Sequence, residues 1–258
     1  MKKNISLIFC VVFLLSVGAV RAQTEFSYAK AYQDYEYNLS QYNSAYENYK
    51  LAREQYLQFK TITAKDEAKA KTLTMLQTRD NTVKTYLTAL RMKIKETDGI
   101  PNAEEEALYN RIDPEVKWYT DHKGRLESAG SLEDLVTDSD EAKDHYTFTN
   151  LLIYDSLINI LSGKTANLRS VITANIVDLK TIIAIIRQNQ DKDVSLMERS
   201  LPDIENKLAR SQDKEDEALK SNSPKTFSQS QSLIQDSYLY LKEANTYLLE
   251  IVRQIKSK

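Results

Sequence analysis

The stretch from Thr24 to Thr97 contains neither glycine nor proline, the two residues that most often interrupt an α-helix. Within it, tyrosine recurs at alternating spacings of three and four residues, the heptad pattern of a helix that packs along one side. The pattern predicts one long helix over residues 23–98. The apolar phase shifts near residues 61–66, so we expect a bend there, and a true turn would give two helices. We call the heptad positions the tyrosine stripe: Tyr28, Tyr32, Tyr35, Leu39, Tyr42, Tyr46, Tyr49, Arg53 and Tyr56.

The N-terminus has the pattern of a secretory signal peptide. Lys2 and Lys3 precede an apolar run from Ile5 to Val17, and the residues after this run end in Ala22. The run is short for a membrane span. We therefore predict that residues 1–22 are removed and that the mature chain is secreted or periplasmic. A retained N-terminal anchor is the alternative.

The remaining apolar patterns also indicate helices, and no stretch alternates as a β-strand does. We expect short helices that form a cap over residues 99–137, a central apolar helix over 138–199, and two C-terminal helices over 200–258. The predicted fold class is all-α. It is an elongated antiparallel bundle in a single domain, residues 23–258, with coiled-coil-like long helices and the first and last helices around the central one.

Helix starts are predicted from capping residues and proline. Pro114 favours a second short helix within the cap. Asp138 with Glu141 three residues later forms a capping-box pattern at the start of the central helix, and Ser200 opens the next helix. Gly163 does not need to end the central helix, and it allows either a kink or a close helix contact.

Charge and cysteine content limit the possible partners. The full chain has a net charge of -2, and loss of Lys2, Lys3 and Arg21 with the signal peptide lowers it to -5. Acidic and basic residues alternate along every segment, which favours neither a nucleic acid nor an anionic membrane surface as partner. Cys10 lies in the predicted signal peptide, so the mature chain must be stable without disulfides. We predict no transmembrane segment after signal removal.

The sequence offers little chemistry. Its two histidines, His122 and His145, lack the Glu-x-x-His spacing of di-iron bundles, and we interpret both as surface residues. The mature chain has no glycine cluster for a phosphate and no Gly-x-Ser-x-Gly nucleophile motif. We interpret carboxylate pairs such as Asp213 and Glu217 as solvated helix faces. The prediction is therefore a protein without catalytic residues, metal or cofactor.

The tyrosine stripe allows two interpretations. Tyrosines at heptad positions fill the space between helices, so the stripe is a packing surface in the first interpretation. In the second, its outer edge is exposed and binds a protein or stacks on the sugar rings of an envelope polysaccharide. Arg53 favours access by water or a partner, because a buried guanidinium needs a charged partner. The candidate partner-binding residues are Tyr28, Tyr32, Tyr35, Tyr37, Tyr42, Tyr46, Tyr49, Arg53 and Tyr56.

These observations lead to one functional hypothesis with two alternatives. We expect a non-catalytic interaction or scaffold protein of the bacterial cell envelope, which binds another protein or a second copy of itself through helix faces. One alternative is a periplasmic holdase-like chaperone. The other is a ligand-sensing helical bundle or an enzyme, which requires a polar pocket among Tyr119, His122 and His145.

Overall fold

The fold is known from a computed structural model that describes residues 26–189, 192–220 and 223–257. These residues contain no β-strand, which confirms the all-α prediction, and none of their helices is long and apolar enough to cross a membrane. The predicted signal peptide, residues 1–22, lies outside the described residues. The α-helices are α1 (Tyr28–Phe59), α2 (Ile62–Lys95), α3 (Asn102–Arg125), α4 (Leu132–Asn189), α5 (Ser195–Lys220) and α6 (Phe227–Lys256), and a 3-10 helix covers Leu126–Ser128.

The stretch expected as one long helix is a hairpin of two antiparallel helices. Lys60 has a φ of 51° and its N–H donates to the carbonyl of Tyr56, which ends α1. Thr61 then caps α2 by accepting a hydrogen bond from the N–H of Ala64 at 3.1 Å. The prediction of a single helix is therefore wrong, and the phase shift marks a turn. The residues that α1 buries are all alanines, namely Ala31, Ala45 and Ala52.

Two further helix starts differ from those expected. α3 continues through Pro114 as one helix of 24 residues, so this proline starts no second helix. α4 begins six positions before Asp138, because Ser131 and Asp134 form a capping box there. The Ser131 hydroxyl accepts from the Asp134 N–H at 3.0 Å, and the Asp134 carboxylate accepts from the Ser131 N–H at 2.8 Å.

α5 also begins earlier than the sequence suggests. Asp193 accepts hydrogen bonds from the backbone N–H and the hydroxyl of Ser195, at 2.9 and 2.6 Å, and the helix then runs through Pro202. The predicted boundary at Ser200 is therefore wrong by five residues. α5 and α6 form a second antiparallel hairpin, in which Ser211 and Ser237 share a hydrogen bond of 2.9 Å.

α4 is the spine of the molecule. Its 58 residues extend about 87 Å. The part before Gly163 packs against α2 and α3, and the part after it packs against α5 and α6. The main neighbour of its first half is thus α2. The expectation that the first helix packs there is wrong. We call α1, α2, α3 and the first part of α4 the N-terminal lobe, and the rest of α4 with α5 and α6 the C-terminal lobe.

A close backbone contact joins the α2–α3 turn to the middle of α4. Gly99 has a φ of +91°, and a Cβ added there would lie 2.1 Å from the carbonyl oxygen of Gly163. A Cβ added at Gly163 would lie 2.6 Å from Cγ1 of Ile100. Gly163 therefore lies within a continuous helix and permits a close contact. Of the two expectations for this residue, a kink or a close contact, the structure supports the second.

A buried carboxylate ties α5 to α4 just beyond this contact. Glu215 accepts hydrogen bonds from the hydroxyls of Ser162 and Thr165, at 2.8 and 2.9 Å, and from the guanidinium of Arg169 at 2.8 Å. All of these side chains are largely buried. Because its charge is paired and its oxygens are bonded, this acid is a structural link between the helices.

Candidate functional site

The tyrosine stripe lies at the edge of the α1–α2 interface. Tyr32 and Tyr46 are 37% and 40% exposed, and the other stripe tyrosines are partly buried. Between the two helices, the close contacts are made by the buried alanines of α1. The rings therefore flank the interface instead of filling it, so the interpretation as a buried packing surface is wrong for Tyr32 and Tyr46. Each ring has one side against protein and another accessible.

The rings of the stripe form two ladders along α1. In the first, Tyr28 contacts Tyr32 with ring centroids 5.6 Å apart, Tyr32 contacts Tyr35 at 5.7 Å, and Tyr35 contacts Tyr86 of α2 at 5.1 Å. These tilted geometries are favourable for aromatic pairs. The second ladder runs from Tyr42 through Tyr46 to Tyr49, with 6.0 Å at each step. Neighbouring rings hold each other in place, which presents a rigid aromatic surface.

The first ladder forms one wall of a long groove. Tyr28, Tyr32 and Tyr35 face Leu157 and Leu161 of α4 and Phe227 of α6 across a cavity of about 450 Å³, with Tyr86 and Leu90 of α2 in its floor. A second cavity of about 390 Å³ shares Leu161, Lys164 and Gln231 and continues to Tyr238. We call these two cavities together the tyrosine groove. It spans four helices and both lobes, and its walls are mostly apolar.

The charge in the tyrosine groove is positive. Lys93 and Lys164 line it, and the described residues place no carboxylate in its lining. The ammonium of Lys93 lies 4.5 Å from the ring centroid of Tyr28, a cation–π geometry that holds this lysine at the wall. Burial is also the main cause that raises the pKa of Tyr86 to about 12, with a smaller contribution from Tyr35. The groove therefore combines uncharged aromatic rings with two positively charged lysine side chains.

The structure does not bring all candidate residues to this groove. Tyr37 is 65% exposed and points away from it, and Arg53 is exposed on the same helix. Tyr42 and Tyr49 pack against an apolar cluster that includes Leu76. Tyr46 and Tyr56 also lie outside its lining, so the stripe residues in the groove are Tyr28, Tyr32 and Tyr35.

The expectation that both histidines lie on the surface is wrong. His122 is 1% exposed, with Nδ1 2.5 Å from a carboxylate oxygen of Asp80 and Nε2 3.1 Å from the backbone carbonyl of Asp138. Because a carbonyl only accepts hydrogen bonds, Nε2 carries a proton and has no lone pair for a substrate. His145 is half-buried, and its Nε2 lies 2.9 Å from Glu115.

Trp118 links the two histidines by stacking. Its ring is nearly parallel to both, with centroids 4.8 Å from His122 and 3.7 Å from His145. The hydroxyl of Thr149 donates to Glu115 at 2.6 Å and lies 3.2 Å from the hydroxyl of Tyr119. Tyr119, His122 and His145 are thus part of one polar cluster of hydrogen bonds and stacked rings.

One group of side chains has the types that bind metal ions. Ligand atoms of His122, Asp138 and Glu141 lie within 4.8 Å of one another. However, both ring nitrogens of His122 have partners, and Glu141 accepts a hydrogen bond from Arg125 at 2.7 Å, which lowers the pKa of this carboxyl. A metal would have to displace these bonds, so we assign none.

A second cleft lies in front of the polar cluster. It has a volume of about 430 Å³ and lies between α1, α2, α3 and α4, with Tyr42, Arg79, Tyr119 and Lys143 in its lining. Burial raises the pKa of Tyr119 to about 12, so this phenol is neutral at physiological pH. Tyr119 is the one member of the polar cluster described above that lines the cleft.

Sequence reasoning missed most of the residues that complete these sites. Asp80 lies 42 positions before His122, and Phe227 lies far from the stripe, so no local spacing connects them. The chain matches no protein-family model, and neither the curated proteins nor the solved structures contain a significantly similar one.

Proposed function

We propose that this chain is an exported, non-catalytic protein of the bacterial cell envelope that binds another protein through the tyrosine groove. The observation that carries the proposal is the position of Tyr28, Tyr32 and Tyr35, whose rings are held in a ladder at the wall of a groove formed by four helices. Partly exposed aromatic rings in a fixed geometry are typical of protein-binding surfaces, because they bury much area with little loss of side-chain entropy.

The shape and charge of the groove favour an amphipathic helix as its occupant. The two adjoining cavities of the groove extend from Tyr28 to Tyr238, and an amphipathic helix binds such an elongated apolar groove through its apolar face. Lys93 and Lys164 favour acidic side chains at the edge of that face, because opposite charges steer association and fix the register of the two partners. The proposed partner is therefore a protein segment that forms an acidic amphipathic helix.

The absence of catalysis is part of this proposal. Both ring nitrogens of His122 are engaged, and Nε2 of His145 is bonded to Glu115. A general base needs a free nitrogen within reach of a substrate proton. The engagement of both nitrogens of His122 supports a structural role for this residue, in which it joins α3 to α2 and α4.

A photo-crosslinking experiment tests the proposal. A benzophenone amino acid replaces Tyr32 in the groove or, as the matched control, Tyr37, which lies on the same helix outside it. We expect crosslinks from position 32 to one discrete protein in native envelopes, at a segment that is acidic and amphipathic when read as a helix. Position 37 should give no such product.

The captured segment is then made as a synthetic peptide. Its affinity for residues 23–258 should fall about fivefold or more with Lys164→Glu, because one favourable charge contact becomes repulsive. Lys242→Glu, at an exposed position of α6 outside the groove lining, should leave the affinity unchanged. Three outcomes would contradict the proposal: equal crosslinking at both positions, crosslinks only to a second copy, or capture of many unrelated unfolded clients, the last of which would favour a holdase.

A further inference from the structure

The cleft between α1 and α4 is distinct from the tyrosine groove and has a different character. Its walls come from aromatic and apolar side chains of four helices, including Tyr42, Val83, Tyr119, Ala142 and Tyr146. Its volume of about 430 Å³ lies within the range of small-molecule sites, roughly 300 to 1,000 Å³. Unlike the two cavities of the tyrosine groove, which share residues with each other, it shares no lining residue with either of them, and its volume suits a small molecule.

Arg79 brings a positively charged guanidinium to the wall of this cleft. Its Nε and one Nη2 hydrogen donate to the same oxygen of Asp80, both at 3.2 Å, and one Nη1 hydrogen donates to Ser139 at 3.2 Å. A guanidinium has five N–H donors. Two of them, one on each terminal nitrogen, have no hydrogen-bond partner among the described residues. These two donors are available for an anionic ligand.

The buried polar cluster fixes the orientation of Arg79. Asp80 is fully buried, and its second oxygen lies 2.5 Å from Nδ1 of His122. His122 is itself held by the carbonyl of Asp138. The chain from Asp138 through His122 and Asp80 therefore positions the guanidinium before any ligand binds, which lowers the entropy cost of binding.

The other polar groups of the cleft also suit an anion. Lys143 lines it and forms no ion pair with the residues that the structure describes, and the described lining includes no carboxylate. Burial raises the pKa of Tyr42 and of Tyr146, and it raises that of Tyr119 to about 12. These phenols are neutral at physiological pH and do not repel a negative ligand.

We propose that this cleft binds a small amphipathic carboxylate, with its apolar body among the tyrosine rings and its carboxylate on Arg79 and Lys143. Apolar walls bind the body by excluding water, and a guanidinium binds a carboxylate through two parallel hydrogen bonds. The ligand class follows from the site alone and does not depend on the protein partner of the groove.

Binding is measured with residues 23–258 by calorimetry and by NMR of the tyrosine rings. The probes are two carboxylates, indole-3-acetate and decanoate, and their matched amines, tryptamine and decylamine. We expect one-to-one binding of at least one carboxylate, and binding of the corresponding amine at least tenfold weaker, because hydrogen bonds to a charged group are lost. The aromatic and aliphatic probes distinguish the two kinds of apolar body.

Three variants connect binding to the cleft. Arg79→Lys keeps the charge but removes the planar donor pair, and it should weaken carboxylate binding at least tenfold. Lys143→Gln should weaken it about threefold. Ala142→Leu fills the cleft from its wall and should abolish binding. Lys242→Gln, at an exposed position on α6 outside the cleft lining, is the control and should have no effect.

The proposal is overturned if neither carboxylate binds at about 5 mM, or if the amines bind as tightly. It is also overturned if Lys143→Gln and Ala142→Leu both leave the affinity unchanged. Because Lys143 is exposed and unpaired among the described residues, its substitution decides the question even if Arg79→Lys unfolds the N-terminal lobe.

Discussion

The two lobes of the molecule are built on one helix but bury different kinds of side chain. The N-terminal lobe buries Asp80, His122 and Tyr119 in a hydrogen-bonded cluster beside its apolar residues. The C-terminal lobe buries the carboxylate of Glu215 close to the N-terminal lobe, and beyond it aliphatic residues such as Ile183 and Leu241 pack together. The cleft lies wholly in the first lobe, and four of the groove's five tyrosines also come from it. The second lobe completes the groove with residues of α6, such as Phe227 and Tyr238.

The contrast runs along α4 itself. Before Gly163, this helix buries Thr149, Ser156 and Asn159 among its apolar residues. After Thr165, its buried residues are all aliphatic: Ile172, Ile176, Leu179 and Ile183. A long helix thus changes character at the point where its neighbours change. The polar cluster lies along the part of α4 before Gly163, because charged side chains of α2 and α3 reach α4 only in that part of the described helix.

The largest effect is expected where the N-terminal lobe buries charge. Asp80→Asn removes the carboxylate charge that faces both Arg79 and His122. We expect the free energy of unfolding of residues 23–258 to fall by about 4 kcal/mol, because the largely buried guanidinium of Arg79 is left without its counter-ion. Urea unfolding followed by circular dichroism measures this loss.

The matched control is Asp121→Asn. Asp121 pairs with Lys117 on the exposed face of α3, and its loss should change stability by less than about 1 kcal/mol. A cost below about 1 kcal/mol for Asp80→Asn as well would break the contrast between the lobes, because the buried cluster would then not stabilise the first of them.

The sequence predicted this cluster only in outline. The helices and their apolar faces are readable, since heptad spacing is a local signal, whereas the helix starts expected from Pro114 and Ser200 are not those of the structure. The phase shift near residues 61–66 allows a bend or a turn, and it does not decide between them, because a lysine with positive φ gives no signal that glycine or proline would give. His122 was taken for a surface residue, because its partners Asp80 and Asp138 lie 42 and 16 positions away.

The same limit applies to the tyrosine groove. The stripe predicted that Tyr28, Tyr32 and Tyr35 share one side of a helix, and the structure places them in one wall. The opposite wall comes from α4 and α6, whose approach depends on the lengths of the intervening helices. Tyr37 was included with the stripe because of its residue type, although its position on the helix differs by about 200° from that of Tyr35.

The second prediction concerns the aliphatic lobe. Leu241 is fully buried in its core, so Leu241→Ala should lower the free energy of unfolding by about 3 kcal/mol through lost burial and the cavity that remains. Leu239, on the same helix, is largely exposed, and Leu239→Ala should change stability by less than about 0.5 kcal/mol. Equal effects of the two substitutions would mean that the C-terminal lobe is not packed as described.

The smallest expected effect is a fall in the free energy of unfolding at high pH, caused by Tyr119 in the N-terminal lobe. The pKa of Tyr119 is raised to about 12, mainly by burial, whereas an unfolded tyrosine ionises near pH 10. A raised pKa gives stability that is complete below pH 10 and is lost as the pH rises through about 12. Between these values the free energy of unfolding should fall by about 1.4 kcal/mol per pH unit on account of this residue.

Urea titrations at several pH values above 9 test this. Tyr119→Phe should flatten the fall relative to the unchanged chain, and Tyr247→Phe, at an exposed position of the other lobe, should not. If both substitutions leave the slope as it was, the phenol of Tyr119 is not protected from ionisation.

The contact between Gly99 and Gly163 fixes the longitudinal register of the α2–α3 turn on α4. A slide of α4 by one residue would bring Ser162 or Lys164 to the position of Gly163, where a Cβ would lie 2.6 Å from Cγ1 of Ile100 and 3.2 Å from its backbone nitrogen. The turn therefore fits at one position along the helix. The groove and the cleft both combine residues of α2 with residues of α4. The contact between Gly99 and Gly163 therefore keeps the α2 and α4 residues of each site aligned.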